Sequence, residues 1–110
     1  MFNEVKKMIQ NQITGAAYDE EIILWIKAAV MDLTTDQIVL PGVFSASIDE
    51  ETRQVTDNST IDDEYVFAAC ATFCCMNIGN PPNYETLSRT YKSIKGTMRT
   101  SSKYKGGAYG

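Results

Sequence analysis

Asp62-Asp63-Glu64-Tyr65-Val66-Phe67-Ala68-Ala69-Cys70-Ala71-Thr72-Phe73-Cys74-Cys75-Met76-Asn77-Ile78 decides how this chain folds. Its acidic start can cap a helix and complement the positive end of the helix dipole. From Tyr65 to Ile78 it carries no charged side chain. Apolar residues then cover most of a helical circumference, the pattern of a buried helix rather than a surface one. Small Ala68, Ala69, Cys70 and Ala71 permit close approach of a neighbour. Gly79 follows as a helix stop, and Asn80-Pro81-Pro82-Asn83 forms a rigid break before the next element.

The flanking segments supply the partners of that helix. Downstream, Tyr84, Leu87, Tyr91, Ile94 and Met98 repeat at steps of three and four, a single apolar stripe. Arg89, Lys92 and Arg99 lie largely off it, and Ser101-Ser102 and Gly106-Gly107 end the run, with Tyr104 and Tyr109 in an exposed tail. Upstream, Asp19 is the expected N-cap of a second helix, with Tyr18 stapling onto Ile23. Ile22, Trp25, Ile26, Ala29 and Leu33 form its inner stripe. Ile23, Leu24, Val30 and Met31 fall outside that stripe, so the helix is either central in the core or meets another subunit with its second face. A short amphipathic helix over Phe2–Gln12, with Phe2, Val5, Met8 and Ile9 on one stripe, ends at Thr14-Gly15.

Between the second and third helices lies a long loop or loose β-hairpin, residues 41–61. Pro41-Gly42 marks a turn. Val43–Ile48 alternates with the period of a strand, Asp49–Glu51 is an acidic tip, and Thr52–Thr56 is the expected return. The fold class is therefore all-α: a small bundle of about four helices with this projecting loop. A single domain spans residues 1–105, and 106–110 form a tail.

The chain has 110 residues, 10 Lys plus Arg, 14 Asp plus Glu and no histidine. Without histidine no Ser-His-Asp or Cys-His pair can be built, and zinc sites lose their usual imidazole ligand. Cys70, Cys74 and Cys75 form one apolar cluster of odd number, which fits buried thiols in a reducing compartment and not a disulfide framework. The acidic clusters lack the spacing of a calcium loop, and no phosphate-binding glycine loop is present. No enzyme activity and no cofactor are expected. The apolar run Ile22–Ile26 is far too short to span a membrane.

The net charge of −4 is a difference between unlike halves. Residues 1–83 hold four basic and thirteen acidic groups, net −9. Residues 84–110 hold six basic groups and one acid, net +5. Such polarity suits head-to-tail contacts or a basic end docking on an acidic partner. A second reading makes the basic fourth helix the contact of a small DNA-binding regulator, with salt-dependent affinity.

Taken in order, the Tyr18–Glu21 helix start, the Ile22–Leu33 helix, the variable loop, the Asp62–Ile78 helix and Asn80-Pro-Pro-Asn83 make a recognisable series. It closes with Tyr84…Leu87…Tyr91…Ile94…Met98…Ser101-Ser102-Lys103-Tyr104. This series resembles the head–tail connector (head-completion or adaptor) proteins of long-tailed bacteriophages over nearly all of residues 1–105. The resemblance implies a structural virion protein, made in the host cytoplasm. It implies a ring, usually of twelve copies, beneath the portal protein, carrying the next neck, stopper or tail-completion protein and letting double-stranded DNA pass without sequence-specific binding. On this view Arg89, Lys92, Lys95, Arg99, Lys103 and Tyr104 face the portal or an adjacent subunit. Ile48, Asp49, Glu50, Glu51 and Arg53 face the next neck protein or the lumen, and Leu24, Met31, Phe67 and Ala71 pack laterally.

Overall fold

A computed structural model of the chain describes residues 1–9, 18–79 and 81–104. Four helices and one hairpin follow in the order α1 (Phe2–Ile9), α2 (Asp19–Thr35), β1 (Ala46–Ile48), β2 (Val55–Asp57), α3 (Glu64–Asn77) and α4 (Tyr84–Thr100), closed by a 3-10 turn at Ser102–Tyr104. The all-α bundle with an inserted hairpin is thus the observed architecture. The expected stop at Thr14-Gly15 and the tail, residues 106–110, lie outside the described residues.

α3 is the axis of the bundle: α1, α2 and α4 all pack on it. Its start is set by Asp63, whose carboxylate accepts the N–H groups of Tyr65 at 2.9 Å and Val66 at 3.2 Å. Val66, Ala69, Cys70 and Cys74 are completely buried. Phe73 packs between Trp25 of α2 and Tyr91 of α4, with centroids 6.0 and 5.1 Å away and the ring planes tilted by 59° and 50°, so one aromatic ring ties three helices together.

α1 buries Phe2, Val5 and Ile9, while Met8 turns outward. α2 buries Ile22, Ile26, Ala29 and Leu33 on its inner stripe. The N-cap expectation fails here. Asp19 lies inside the first turn and its carboxylate takes Lys6 Nζ at 2.7 Å, tying α1 to α2. The cap position belongs to Tyr18, which gives no side-chain cap bond and stays exposed.

α2 ends at Thr35, with Asp36 as its C-cap. Gln37 adopts φ 65°, the Gln37 N–H donates to the Thr34 carbonyl and the Ile38 N–H to the Leu33 carbonyl. This is a Schellman closure with the Leu33–Ile38 apolar contact beneath it. Glutamine stands where glycine is the usual choice.

The hairpin is shorter than the alternation suggested. Ala46 pairs with Asp57, Ser47 with Thr56 and Ile48 with Val55. Thr52, expected to begin the return strand, belongs to the turn, because the Asp49 carboxylate takes the N–H groups of Glu51 and Thr52 at 2.8 and 2.9 Å. Those donors are lost to a ladder. The alternation itself holds: Ala46 is buried, Phe44 and Ile48 half-buried, and Val43, Ser45 and Ser47 exposed. At the base, a Cβ on Gly42 would lie 2.6 Å from Thr60 Oγ1 and 2.9 Å from the Ile61 nitrogen, so only glycine lets the two arms meet.

Candidate interaction surfaces

The basic residues of α4 divide into a committed set and a free set. Lys95 is buried. Its Nζ lies 2.8 Å from Asp32 Oδ2 and also pairs with Asp36. Tyr91 donates its hydroxyl to the same Asp32 oxygen at 2.6 Å. Burial works against the Lys95 ammonium, but the two carboxylates outweigh it and raise its pKa. Asp32 is likewise opposed by burial, yet held below the usual carboxylate range by Lys95 and Tyr91. Arg99 reaches Asp36 at 3.4 Å.

Tyr104 is not part of an exposed tail. It is 3% exposed, donates its hydroxyl to Asp63 Oδ1 at 2.8 Å, and accepts the Val39 N–H on its carbonyl at 2.8 Å. Lys103 pairs with the other Asp63 oxygen. One buried carboxylate therefore caps α3 and latches the end of α4. Burial would raise its pKa, but Lys103, Tyr104 and the Val66 N–H lower it. Of the six residues assigned to a portal or subunit contact, Lys95, Arg99, Lys103 and Tyr104 serve the fold. Arg89 and Lys92 remain exposed and make no ion pair among the described residues.

The hairpin tip keeps Glu50 and Glu51 in solvent. Asp49 is spent on the turn, Ile48 is half-buried in the strand, and Arg53, at φ 60°, reaches Glu20 of α2 across 3.4 Å. The base of the hairpin is fastened by Asp57. Its Oδ2 accepts the Met1 ammonium at 2.8 Å and the Phe2 N–H at 2.7 Å, and Oδ1 accepts the Ser59 N–H. Burial opposes ionisation of Asp57; the ammonium, Ser59 and Phe2 overcome that and depress its pKa strongly. Sequence reasoning missed this clasp, because its partners are 55 and 56 residues apart and no local pattern joins them.

The lateral set also divides. Leu24 and Met31 are 58% and 69% exposed, an apolar ridge on the outer side of α2. Phe67 and Ala71 are each 6% exposed. They sit in the core because α3 is covered by the other three helices. A groove does open between α1, the start of α3 and α4. Its floor carries Phe67, Ala68 and Ile94, its walls Met8 and Tyr65, and its rim Glu4, Lys7, Asp62 and Glu64.

The cysteines offer no nucleophile. All three are buried free thiols, and burial pushes the Cys70 thiol up to about 12. Among the described residues, no group of His, Cys, Asp and Glu is placed to hold a metal ion. No described helix is long and apolar enough to cross a membrane.

Comparison with protein families matches residues 1–105 to the family described as phage connector protein. No curated protein and no solved structure matches.

Proposed function

The chain belongs to the phage connector protein family, and from that premise we propose that it forms a ring, of twelve copies in the virion, which sits beneath the portal and joins the DNA-filled head to the neck. Membership makes it a structural head–tail connector, a virion component that contacts other head and tail proteins. The ring, its stoichiometry and its place under the portal are the finer reading, as are synthesis in the host cytoplasm and passage of DNA through the lumen without sequence-specific contacts. The observation that carries it is the extent of the match, which takes in all four helices and the hairpin.

The surfaces support the reading in a narrower form than the sequence suggested. Arg89 and Lys92, the α4 cations without an ion pair among the described residues, are the ones offered to an acidic portal face. Glu50 and Glu51 at the hairpin tip point to the next neck protein or the lumen, where negative charge repels the phosphate backbone and favours sliding over sticking. The fold supplies the scaffold and the work is docking, so no step calls for a catalytic group. The DNA-regulator alternative loses ground, since Lys95, Arg99 and Lys103 are already paired with carboxylates.

Electron microscopy of the purified chain mixed with its portal assembly tests this reading. A closed ring stacked on one end of the portal is expected. A chain that leaves the portal bare at high concentration overturns it.

A further inference from the structure

The ridge on α2 and the groove beside α3 both leave apolar side chains in solvent. Leu24 and Met31 stand half a helical turn away from Ile22, Ile26, Ala29 and Leu33, the residues that face the core. They are seven residues apart, about 10 Å along the helix. Lys27 lies between them, exposed and without an ion pair among the described residues. The groove opens on a different side of the molecule, where α1 and α4 flank α3. Met8 and Tyr65 are 50% and 49% exposed there, and Asp62 and Glu64 on the rim have no ion pair among the described residues.

We infer that the Leu24–Met31 ridge of one copy seats in the Met8–Tyr65 groove of a second copy, with Lys27 meeting Asp62 and Glu64. The inference rests on the ring reading, and it names the surfaces that would close the ring. Charge selects this pairing over the symmetric ones. Ridge against ridge brings two Lys27 ammonium groups together, and groove against groove brings together two net-acidic rims, each setting Asp62 and Glu64 against a single exposed Lys7. Ridge into groove joins opposite charges and covers exposed apolar side chains from both copies. Because the two surfaces differ, the contact is heterologous and propagates from copy to copy until it closes.

Disulfide trapping in the full chain tests it. Met8→Cys and Met31→Cys variants are made separately, with Ser93→Cys on the outer side of α4 as control, and thermal melts confirm that each folds. The native thiols are buried and do not compete. Under mild oxidation a mixture of Met8→Cys and Met31→Cys is expected to give at least tenfold more disulfide dimer than either alone or than any mixture with Ser93→Cys. The double variant gives a ladder of higher species. Lys27→Glu in the Met31→Cys chain lowers the yield, and Glu64→Lys in the Met8→Cys chain restores it. A mixture no better than the control overturns the inference, and so does a Met31→Cys chain that dimerises equally well with itself. Rings seen on the portal without the 8–31 crosslink leave the ring reading standing and remove these surfaces. The crosslink without rings on the portal does the reverse.

Discussion

α2 and α4 are both 17 residues long, and each uses its outer side in a way its composition conceals. α2 is apolar nearly all round, yet Leu24 and Met31 are left in solvent. α4 is amphipathic and basic, yet Lys95 is buried and Arg99 is paired with Asp36. Charged residues on α4 hold the monomer together, while apolar residues on α2 face outward. A residue's class therefore says less about its job than whether a partner already exists inside the fold. Asp32 on α2 and Asp36 at its C-cap satisfy Lys95, and nothing in the described chain covers Met31.

The sharpest way to break this contrast is on the inner stripe of α2. Leu33 is fully buried and also supplies the carbonyl and apolar contact of the Schellman closure. Leu33→Ala is expected to cost about 3 kcal/mol in urea unfolding, from lost burial and the cavity left behind. A loss below about 1 kcal/mol would mean that α2 is not seated on α3 as described. The next largest effect belongs to the α4 seam. Lys95→Met leaves Asp32 and Asp36 without their shared ammonium and is expected to cost about 2 kcal/mol. That is less than for a fully buried pair, because each carboxylate remains about a third exposed. A null result would return Lys95 to the docking surface where the sequence reading put it.

Much of this was legible and some of it was not, for physical reasons that particular residues show. The 3.6-residue period located all four helices, and the charge-free run Tyr65–Ile78 marked the central one, because burial on all sides leaves no place for a charge. Residues that act across the fold were misread. Lys95 was assigned to a docking face because its acids lie 59 and 63 residues earlier. Tyr104 looked like tail because its partner, Asp63, is 41 residues away. Phe67 and Ala71 were grouped with Leu24 and Met31 because periodicity gives apolarity, not which apolar face already has a neighbour.

The same ion pairs set a pH dependence. Asp32, Asp57 and Asp63 have depressed pKa values in the folded chain. Their stabilisation is complete above the unfolded carboxylate value of about 3.9 and is lost as pH falls through the folded values. Lys95 is raised, so its contribution is complete below about 10.4 and is lost as pH rises through its folded value. The melting temperature is expected to be level from about pH 5 to 7.5, with no histidine to titrate between, and to fall on the acid side with the three aspartates. On the alkaline side it falls first as the Met1 ammonium, raised against burial by Asp57 and Glu4, is lost, and then above about pH 10.4 with Lys95. In the Lys95→Met chain the alkaline fall should be shallower. An unchanged alkaline limb would show that the seam is not what fails there.

The smallest effect is the most discriminating for the contrast between the helices. Met31→Ser removes an apolar side chain that is 69% exposed, so the isolated chain should change stability by no more than about 0.5 kcal/mol. Arg89→Ala, on an exposed side chain of α4 without an ion pair among the described residues, should be equally silent. Stability then separates the two helices by face: the inner Leu33 and Lys95 matter in the lone molecule, the outer Met31 and Arg89 do not. If Met31→Ser unfolds at the same urea concentration as the parent chain, its methionine is held there for something other than the fold. If it is destabilised as much as Leu33→Ala, α2 has one function rather than two, and the outer ridge is part of the core.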